Sequence, residues 1–462
     1  MSSETSSVHH SASFRDPSGF LFWQDGKLLR QINKSYRENY ERLNSSGLYA
    51  DLVERKLLIP HTESDCPLAE NEVGWKVIEP EMVAFISYPY EWCFSQYKDA
   101  ALATLDIQQA AIEHNMSLKD ASAYNIQFHN GKALMIDTLS FEALDPEKPW
   151  TAYRQFCQHF LAPLSLMSHC DVRLANLMRD YIDGIPLDLA STLLPRATKF
   201  NLALQLHIHL HARSQEKYAD KKINKGQVKG KMTRHNLLAL IDNLKKTITG
   251  LKWKAGETEW GDYYNDTNYS DDSFSNKKKI IDGFISTAEP LSVWDLGANN
   301  GLFSRIASDR GIPTVAFDID PVAVEKCYHQ MVEKNETNML PLVQDLTNPS
   351  PAIGWHHNER DSLSDRGAAD MVFSLALIHH LAISNNLPFS RIASFMASVC
   401  SYLVIEFVPK SDSQVQRLLT TREDIFTEYT QECFEQAFGE QFDILETVPV
   451  EGSERTLYLM RR

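Results

Sequence analysis

The stretch Val293-Trp-Asp-Leu-Gly-Ala-Asn-Asn-Gly-Leu-Phe303 decides the fold of this chain. Its first four residues are mainly apolar, which is typical of a buried strand, and a helical pattern follows the glycine-bearing turn. The turn calls for glycine twice, for a tight backbone conformation at Gly297 and for close approach of a ligand to the main chain at Gly301. The stretch therefore predicts a strand, a ligand-binding turn and a helix, in that order.

A regular alternation of strand and helix patterns extends from this stretch toward residue 462. Strands are predicted at residues 292–296, 314–318, 340–344, 371–377, 402–408, 443–450 and 455–460. Five strand–helix units followed by a hairpin predict an α/β domain, with a seven-stranded, mostly parallel, Rossmann-like sheet and helices on both faces.

Asp318 follows Gly297 by twenty-one residues and stands at the predicted end of the second strand. A carboxylate there can accept hydrogen bonds from both hydroxyls of an adenosine ribose. A dinucleotide-binding fold would carry Gly-x-Gly-x-x-Gly, whereas this chain has Asp-x-Gly-x-x-x-Gly from Asp295 to Gly301. Because that pattern lacks a cradle for pyrophosphate, it favours a ligand with a ribose but no phosphates.

From residue 260 to 462 the sequence resembles the class I S-adenosylmethionine-dependent methyltransferases. Asp345 ends the third strand, where that family contacts the adenine amine, and residues 369–381, with Ser374, match the fourth-strand motif beside the methyl-transfer site. Residues 401–408 match the fifth strand, and the hairpin matches the antiparallel edge. Asn299 replaces a glycine that is common in the loop. The resemblance implies S-adenosylmethionine as the cofactor.

The resemblance also implies roles for individual residues. The loop 298–301, at a helix N-terminus, would receive the methionine carboxylate, while Asp295 and Asn299 would hold the ammonium group. Methyl transfer is an in-line displacement, so the protein supplies alignment and, where needed, a base. The predicted cofactor-binding set is Asp295, Gly297, Ala298, Asn299, Gly301, Asp318, Asp345 and Ser374, and no metal site is predicted.

Candidate bases stand at the predicted C-terminal ends of two strands, where ligands bind in open α/β sheets. They are His379, His380 and Glu406. The alternative interpretation is that one of the two histidines only caps the helix that begins near Leu381. The sequence alone leaves both interpretations open.

The sequence excludes some classes of methyl acceptor. The fourth strand lacks the Asn/Asp-Pro-Pro-aromatic signature of amide and base-amine methyltransferases, and the net charge of −15 disfavours nucleic acid unless one face is locally basic. A small molecule, a sugar-containing metabolite or a protein remains. A weaker resemblance, to nodulation-associated methyltransferases with a long N-terminal extension, names no substrate. An aromatic group is predicted to form either a lid or plain core: Trp253, Trp260, Tyr263, Tyr264 and Tyr269.

Composition sets the expected surroundings. The seven cysteines show no Cys-x-x-Cys pair, which favours reduced thiols and a cytoplasmic location. No stretch approaches the roughly 18 uninterrupted apolar residues of a membrane span. Residues 1–12 are rich in Ser, Thr and His and are expected to be disordered. Residues 213–258 are predicted to be a basic connector, partly helical at Arg234–Ile248, since 213–254 holds twelve Lys or Arg against three acids.

Residues 13–212 predict an α+β domain with a weak resemblance to protein kinases. Asp120 and Asn125 have the Asp-x-x-x-x-Asn spacing of a kinase catalytic loop, and Asp137 stands where a metal-binding Asp would follow a hairpin. However, the glycine-rich loop and an assignable β3 lysine are missing. The alternatives are a hairpin with an Asx turn, a bifunctional kinase–methyltransferase, or a non-catalytic module that recruits a partner. His207, His209 and His211 are interpreted as surface or interface groups.

Overall fold

The computed structural model describes residues 8–210, 233–256, 271–420 and 422–462. The chain divides into two compact units. Unit 1 comprises Met1–Lys254 and Ala352–Arg360, and unit 2 comprises Ala255–Pro351 and Asp361–Arg462. Of the predicted aromatic group, Trp253 belongs to unit 1, while Trp260, Tyr263, Tyr264 and Tyr269 lie outside the described residues.

Unit 1 has an α+β architecture. Strands β1 to β5 form an antiparallel sheet in the order β1-β2-β3-β5-β4, and β6 pairs with β9 and β7 with β8 in two separate ladders. The strands are β1 (Val8–His9), β2 (Gly19–Gln24), β3 (Lys27–Asn33), β4 (His61–Ser64), β5 (Gly74–Pro80), β6 (Met116–Leu118), β7 (Ile126–His129), β8 (Lys132–Met135) and β9 (Phe141–Ala143). The described helices are Arg37–Ser45, Leu48–Glu54, Phe94–Glu113, Tyr153–Phe156, Ala162–His169, Leu177–Asp180, Leu187–Leu193, Leu202–Leu204 and Arg234–Gly250.

The helix Phe94–Glu113 forms the centre of unit 1. Thirteen of its twenty residues are buried, many of them alanines that allow neighbouring elements to approach closely. Residues on several sides of it pack inward because the helix is apolar around most of its circumference.

Two segments of the N-terminal half differ from their predicted roles. Val8 and His9, expected to be disordered, pair with Trp23 and Phe22 in the sheet. The helix predicted within the connector is confirmed at Arg234–Gly250, but it belongs to unit 1 and is not a linker. It buries four side chains at helical spacing because its apolar stripe faces the unit. These side chains are Leu237, Ile241, Leu244 and Ile248.

The histidine prediction was wrong for the two residues that can be judged. His207 and His209 are buried in a π-helical turn, Gln205–His209, rather than exposed. Each ring nitrogen of this pair finds a polar partner, which is what makes burial of two imidazoles tolerable. The partners are Tyr153 and Asn243 for His207, and Ser191 and Thr198 for His209. His211 lies outside the described residues.

Unit 2 contains a seven-stranded sheet in the order β12-β11-β10-β13-β14-β16-β15. All neighbouring pairs from β12 to β14 are parallel, and β16 is antiparallel to both β14 and β15. The strands are β10 (Val293–Leu296), β11 (Thr314–Asp318), β12 (Met339–Val343), β13 (Ala369–Ser374), β14 (Cys400–Phe407), β15 (Asp443–Pro449) and β16 (Thr456–Arg461). The predicted mostly parallel sheet of seven strands is confirmed.

The described helices of unit 2 are Asp271–Ala288, Ser304–Ser308, Pro321–Lys334, Phe389–Val399, Ser413–Leu419 and Gln431–Gly439. One core cluster joins the first of these helices to the central strands, with Ile281, Phe284, Val293, Phe373 and Val404 among its buried side chains. Strand β13 ends at Ser374, three residues before its predicted end, because Ala376 has a positive φ of 49° that turns the chain out of the sheet. No described helix is both long enough and apolar enough to cross a membrane.

Candidate functional site

A cavity of about 380 Å³ lies in unit 2 at the C-terminal ends of its parallel strands. Strand order changes direction between β10 and β13, and such a switch point is where open α/β sheets bind ligands. The residues that line the cavity come from the ends of four strands, from the helices Asp271–Ala288 and Ser413–Leu419, and from the π-helical turn His380–Ser384. They include Phe274, Lys277, Asp295, Gly297, Ala298, Asn299, Phe303, Asp318, Gln344, Asp345, Leu375, Ala376, Leu377 and His380.

The loop after β10 forms one wall of this cavity. Gly297 has a φ of 83° and Asn299 a φ of 52°, so the chain makes two left-handed turns within three residues. The backbone N–H groups of Gly297 and Ala298 both donate to the carbonyl oxygen of Phe317, at 2.9 and 2.8 Å. These bonds tie the loop to the neighbouring strand β11, and they fix the loop at the edge of the cavity.

Gly301 serves packing rather than the cavity wall. Its φ is 76°, and a Cβ there would lie 2.6 Å from Sγ of Cys327 and 3.1 Å from the guanidinium of Arg305. Gly301 is not among the residues that line the cavity. The close approach that requires glycine at this position is to Cys327, in the helix Pro321–Lys334.

Asp318 ends β11 and is 8% exposed, with its carboxylate at the cavity. The backbone N–H of Asn299 donates to its Oδ2 at 2.7 Å, and that of Asp320 donates to its Oδ1 at 2.8 Å. Burial raises the pKa of Asp318 to about 6 against the effect of these two bonds. A carboxylate offers about four lone-pair sites, so two backbone donors leave acceptor capacity for hydroxyl groups in the cavity.

Asp295 lies deeper, at 2% exposure, and also lines the cavity. The hydroxyl of Ser304 donates to its Oδ2 at 2.6 Å. Burial raises the pKa of Asp295 to about 7, and the negative charge of nearby Asp318 adds to the increase. The cavity therefore has two buried acids that both bind protons more tightly than ordinary carboxyl groups.

Asp345 and Ser374 have different surroundings. Asp345 is half-buried and lines the cavity, and its Oδ1 accepts bonds from the backbone N–H and the hydroxyl of Thr347 at 2.8 and 2.7 Å. Ser374 is fully buried beneath the cavity, does not line it, and its hydroxyl has no hydrogen-bond partner among the described residues. The structure thus gathers every member of the predicted cofactor set around the cavity except Gly301 and Ser374.

The two candidate histidines differ in access. His380 lines the cavity, and burial, with the charge of Arg455, lowers its pKa to about 4. His379 is 1% exposed, does not line the cavity, and burial holds its pKa well below the ordinary value. The two rings lie 4.1 Å apart between centroids. Both imidazoles are therefore neutral near pH 7, and only His380 is placed to meet a ligand.

Glu406 is fully buried on β14 and does not line the cavity. Its Oε2 accepts two bonds of 2.7 Å, one from the ammonium of Lys277 and one from the backbone N–H of Ala376. Lys277, in contrast, does line the cavity, and its Nζ lies 4.6 Å from the centre of the Phe303 ring. Burial lowers the pKa of Lys277, although the Glu406 carboxylate acts in the opposite direction.

Sequence reasoning missed Lys277 because no motif covers it. A signal was nevertheless present in the helix Asp271–Ala288. Phe274, Ile281 and Phe284 recur at helical spacing, and Lys277 falls on the same face three residues after the first of them. A charged side chain on the apolar face of a helix is rarely buried unless it is paired. The position of Lys277 therefore predicts either a buried ion pair or a role in a site.

Of the kinase-like residues of unit 1, Asp137 binds a cation of the protein itself. The guanidinium of Arg30, on β3, lies 2.6 Å from Oδ1 of Asp137, while the hydroxyl of Ser140 donates to Oδ2. The amide of Asn125 lies 3.4 Å from that same hydroxyl. Burial alone would raise the pKa of Asp137, but Arg30 and these hydrogen bonds outweigh burial and the pKa is lowered.

Asp120 accepts its hydrogen bonds close to its own turn. Its Oδ1 receives the backbone N–H of Ser122 at 3.0 Å and the side-chain amide of Gln155 at 2.8 Å. Burial, followed by the charge of Asp137, raises the pKa of Asp120. The backbone bond within the turn is the pattern of an Asx turn, which the sequence offered as the structural alternative to a catalytic loop.

The sheet order of unit 2, with its glycine loop and the carboxylate after the second strand, defines a class I methyltransferase fold. No family model matches the chain. Nodulation protein NoeA of Rhizobium meliloti (strain 1021) is 33% identical over 456 residues, which cover 97% of this chain and 95% of that protein. The chain therefore belongs to the NoeA family.

Three solved structures that resemble the chain each match less than half of it. WbdD in complex with a kinase inhibitor is 17% identical, over 45% of this chain and 43% of WbdD, with a TM-score of 0.30. Magnesium protoporphyrin IX methyltransferase of Synechocystis PCC 6803 is 18% identical, over 45% of this chain and 87% of that one, with a TM-score of 0.30. The N-methyltransferase NodS of Bradyrhizobium japonicum WM9 is 12% identical, over 42% and 98%, with a TM-score of 0.32.

Proposed function

We propose that this protein is an S-adenosylmethionine-dependent methyltransferase whose cofactor occupies the cavity of unit 2. The observation that carries the proposal is the buried Asp318 carboxylate, which ends β11 beside the Gly297 loop and faces a cavity of about 380 Å³. Asp318 would accept the ribose hydroxyls, and Asp345, after the next strand, would contact the adenine amine. Neither contact needs a phosphate, in keeping with the absence of a pyrophosphate-binding glycine pattern from the loop.

The residues at the other end of the cavity would hold the methionine portion. Burial raises the pKa of Asp295 to about 7. A positively charged ammonium group that binds beside Asp295 would favour the ionised form of its carboxyl group. Asn299 and the backbone of Gly297 and Ala298 would complete this wall. The cofactor supplies an activated methyl group, and the chain's contribution is to align an acceptor with that group and to exclude water.

His380 is the proposed base where the acceptor must lose a proton. It lines the cavity and is neutral near pH 7, the state in which an imidazole can accept a proton. Its low pKa makes it a weak base, so it suits an acceptor that loses its proton as the methyl group arrives. His379 and Glu406 are buried away from the cavity, and we assign them positioning roles.

The acceptor is proposed to be a small molecule, a sugar-containing metabolite or a protein. The net charge of −15 argues against a nucleic-acid backbone as the principal partner. A cytoplasmic location is part of the proposal, because all seven cysteines are free thiols. The direct test is transfer of tritiated methyl groups from labelled cofactor into host lysate that is then separated by size. Labelled product that disappears with Asp318→Ala would support the proposal, and no incorporation above a protein-free blank would count against it.

Unit 1 supports a second proposal, that it is a non-catalytic module that recruits a partner or an acceptor. The specific observation is that Arg30 and Ser140 already bind both oxygens of Asp137, the predicted metal ligand. Magnesium would have to displace a guanidinium in order to bind there. The bifunctional kinase–methyltransferase is the alternative, and binding of magnesium with ATP distinguishes the two.

A further inference from the structure

Lys277, which lines the unit 2 cavity, forms a buried ion pair with Glu406 behind the cavity wall. Their side chains are 2% and 0% exposed, and Nζ lies 2.7 Å from Oε2. The two residues are 129 positions apart in sequence, so the pair joins the helix before the sheet to its fifth strand. Removing two charges from water is costly, and a buried pair is therefore weak evidence for stability by itself. A pair that opens onto a cavity invites a functional explanation.

The position of the pair along the cavity indicates which part of a ligand it meets. Asp345 follows β12 and Asp318 ends β11, so these acids mark one end of the row of strands. Lys277 contacts Glu406 on β14, beyond β10 and β13 in the sheet order. The lysine therefore lies at the end of the cavity opposite the proposed adenine and ribose contacts.

We infer that Lys277, held by Glu406, binds the carboxylate of the amino-acid portion of the cofactor. This inference rests on the proposed function. Among the described residues that line the cavity, Lys277 is the one lysine or arginine, whereas three aspartates line the same walls. A ligand with an ammonium, a ribose and a carboxylate needs acidic partners for the first two and a cation for the third.

The assignment also replaces a weaker candidate for the carboxylate. The sequence placed that group at the N-terminus of the helix after the glycine loop. In the structure this helix has only five residues, Ser304–Ser308, and it begins three residues after Gly301. A helix this short aligns few peptide dipoles, so it offers little positive potential compared with a full ammonium charge.

Glu406 has a second task in this arrangement. The oxygen that accepts Lys277 also accepts the backbone N–H of Ala376, which has a positive φ of 49° and lines the cavity. One carboxylate thus fixes both the cation and the turn after β13. Glu406 is accordingly a positioning residue, and Lys277 is the group that meets the ligand.

Calorimetry with two ligands tests the inference on the full chain. S-adenosylhomocysteine and its decarboxylated analogue differ only by the carboxylate, so their dissociation constants isolate that group. Lys277→Met should raise the dissociation constant of S-adenosylhomocysteine by about tenfold or more, the range for a hydrogen bond to a charged group. The dissociation constant of the analogue should change by no more than about twofold. Lys279→Met, which changes an exposed lysine on the same helix, should alter neither constant.

Because Lys277→Met leaves Glu406 buried without its counter-ion, the double variant Lys277→Met with Glu406→Gln provides a second measurement. It carries no unpaired buried charge, and it should show the same selective loss. If the variants weaken the binding of both ligands equally, so that the ratio of the two dissociation constants is unchanged, the role of Lys277 is overturned while the methyltransferase proposal stands. Failure of the unmodified protein to bind either ligand would overturn both.

Discussion

The backbone N–H of Asn299 donates to the carboxylate of Asp318 across 2.7 Å, and this bond joins the glycine loop to the end of the neighbouring strand. Asn299 has a positive φ, a conformation that asparagine adopts more readily than most non-glycine residues and that this bond helps to hold. Asp318 therefore has two functions in the structure, as a proposed ligand contact and as the anchor of the loop.

Asp318→Ala should reduce the affinity for S-adenosylhomocysteine by about a hundredfold, since it removes charge-assisted hydrogen bonds to the ribose. Isothermal titration calorimetry measures the change. Asp320→Ala is the matched control, because Asp320 caps the helix Pro321–Lys334 through the backbone N–H of Val322 and does not line the cavity. Binding of normal strength by a folded Asp318→Ala protein would contradict the assignment.

The pKa of Asp295, raised to about 7, predicts a pH dependence of stability in the ligand-free protein. The folded protein holds this proton more tightly than the unfolded chain, so the contribution of Asp295 is fully present below about pH 4 and is lost as the pH rises to about 7. Asp295→Asn should therefore flatten the fall in unfolding free energy between about pH 4 and about pH 7. Urea titrations at a series of pH values give the comparison, and parallel curves for the two proteins would refute it.

The same group predicts an opposite trend for binding. A ligand ammonium pairs with the ionised form of Asp295, so the affinity for S-adenosylhomocysteine should rise as the pH increases through about 7. Asp295→Asn should abolish most of this rise. The decarboxylated analogue retains the ammonium and should follow the same trend, which separates this effect from that of Lys277. A pH-independent affinity in the unmodified protein would exclude the proposed pairing.

Gly301→Ala should destabilise unit 2 more than Gly311→Ala. Both glycines have φ near 80°, but a Cβ at Gly311 would meet open space, while one at Gly301 would meet Cys327 at 2.6 Å. We expect about 1 kcal/mol for Gly311→Ala, the cost of a left-handed backbone, and at least about 1 kcal/mol more for Gly301→Ala. Chemical denaturation measures both, and Cys327→Ala should recover part of the difference in the double variant.

Unit 1 should show no magnesium-dependent thermal shift with ATP, ADP or GTP, because Arg30 neutralises Asp137 and leaves no free carboxylate edge for the metal. The full chain is heated with each nucleotide, with and without magnesium. A clear shift that requires magnesium and vanishes in Asp137→Ala would instead support the bifunctional alternative.

The sheet of unit 2 was predictable because its signals are local. Buried parallel strands such as Val293–Leu296 are short apolar runs, and a glycine turn or a terminal acid marks their ends. The end of β13 was misplaced because the left-handed turn at Ala376 depends on Glu406, thirty residues away in sequence. The identity of Ala376 alone does not predict a left-handed conformation that a distant carboxylate stabilises.

The same distinction explains the site. Asp295 and Asp318 were found because they occupy fixed distances from the glycine loop, whereas the role of Lys277 depends on a partner 129 residues away. The close contact between Gly301 and Cys327 could not be predicted for a similar reason, because Cys327 lies outside the loop, in the helix Pro321–Lys334. In unit 1, the buried positions of His207 and His209 depend on Tyr153 and Ser191, and no spacing within the histidine segment predicts those contacts.

Strand β16 follows β15 in the chain but lies between β15 and β14 in the sheet. Strand β15 therefore has no neighbour in this sheet until β16 has paired with β14. Until β16 has paired, β14 is an exposed edge of the sheet, and unfinished chains can associate along such an edge. A stop codon only a few residues before Thr456 would remove an interior strand, so such a truncation should aggregate rather than merely fray.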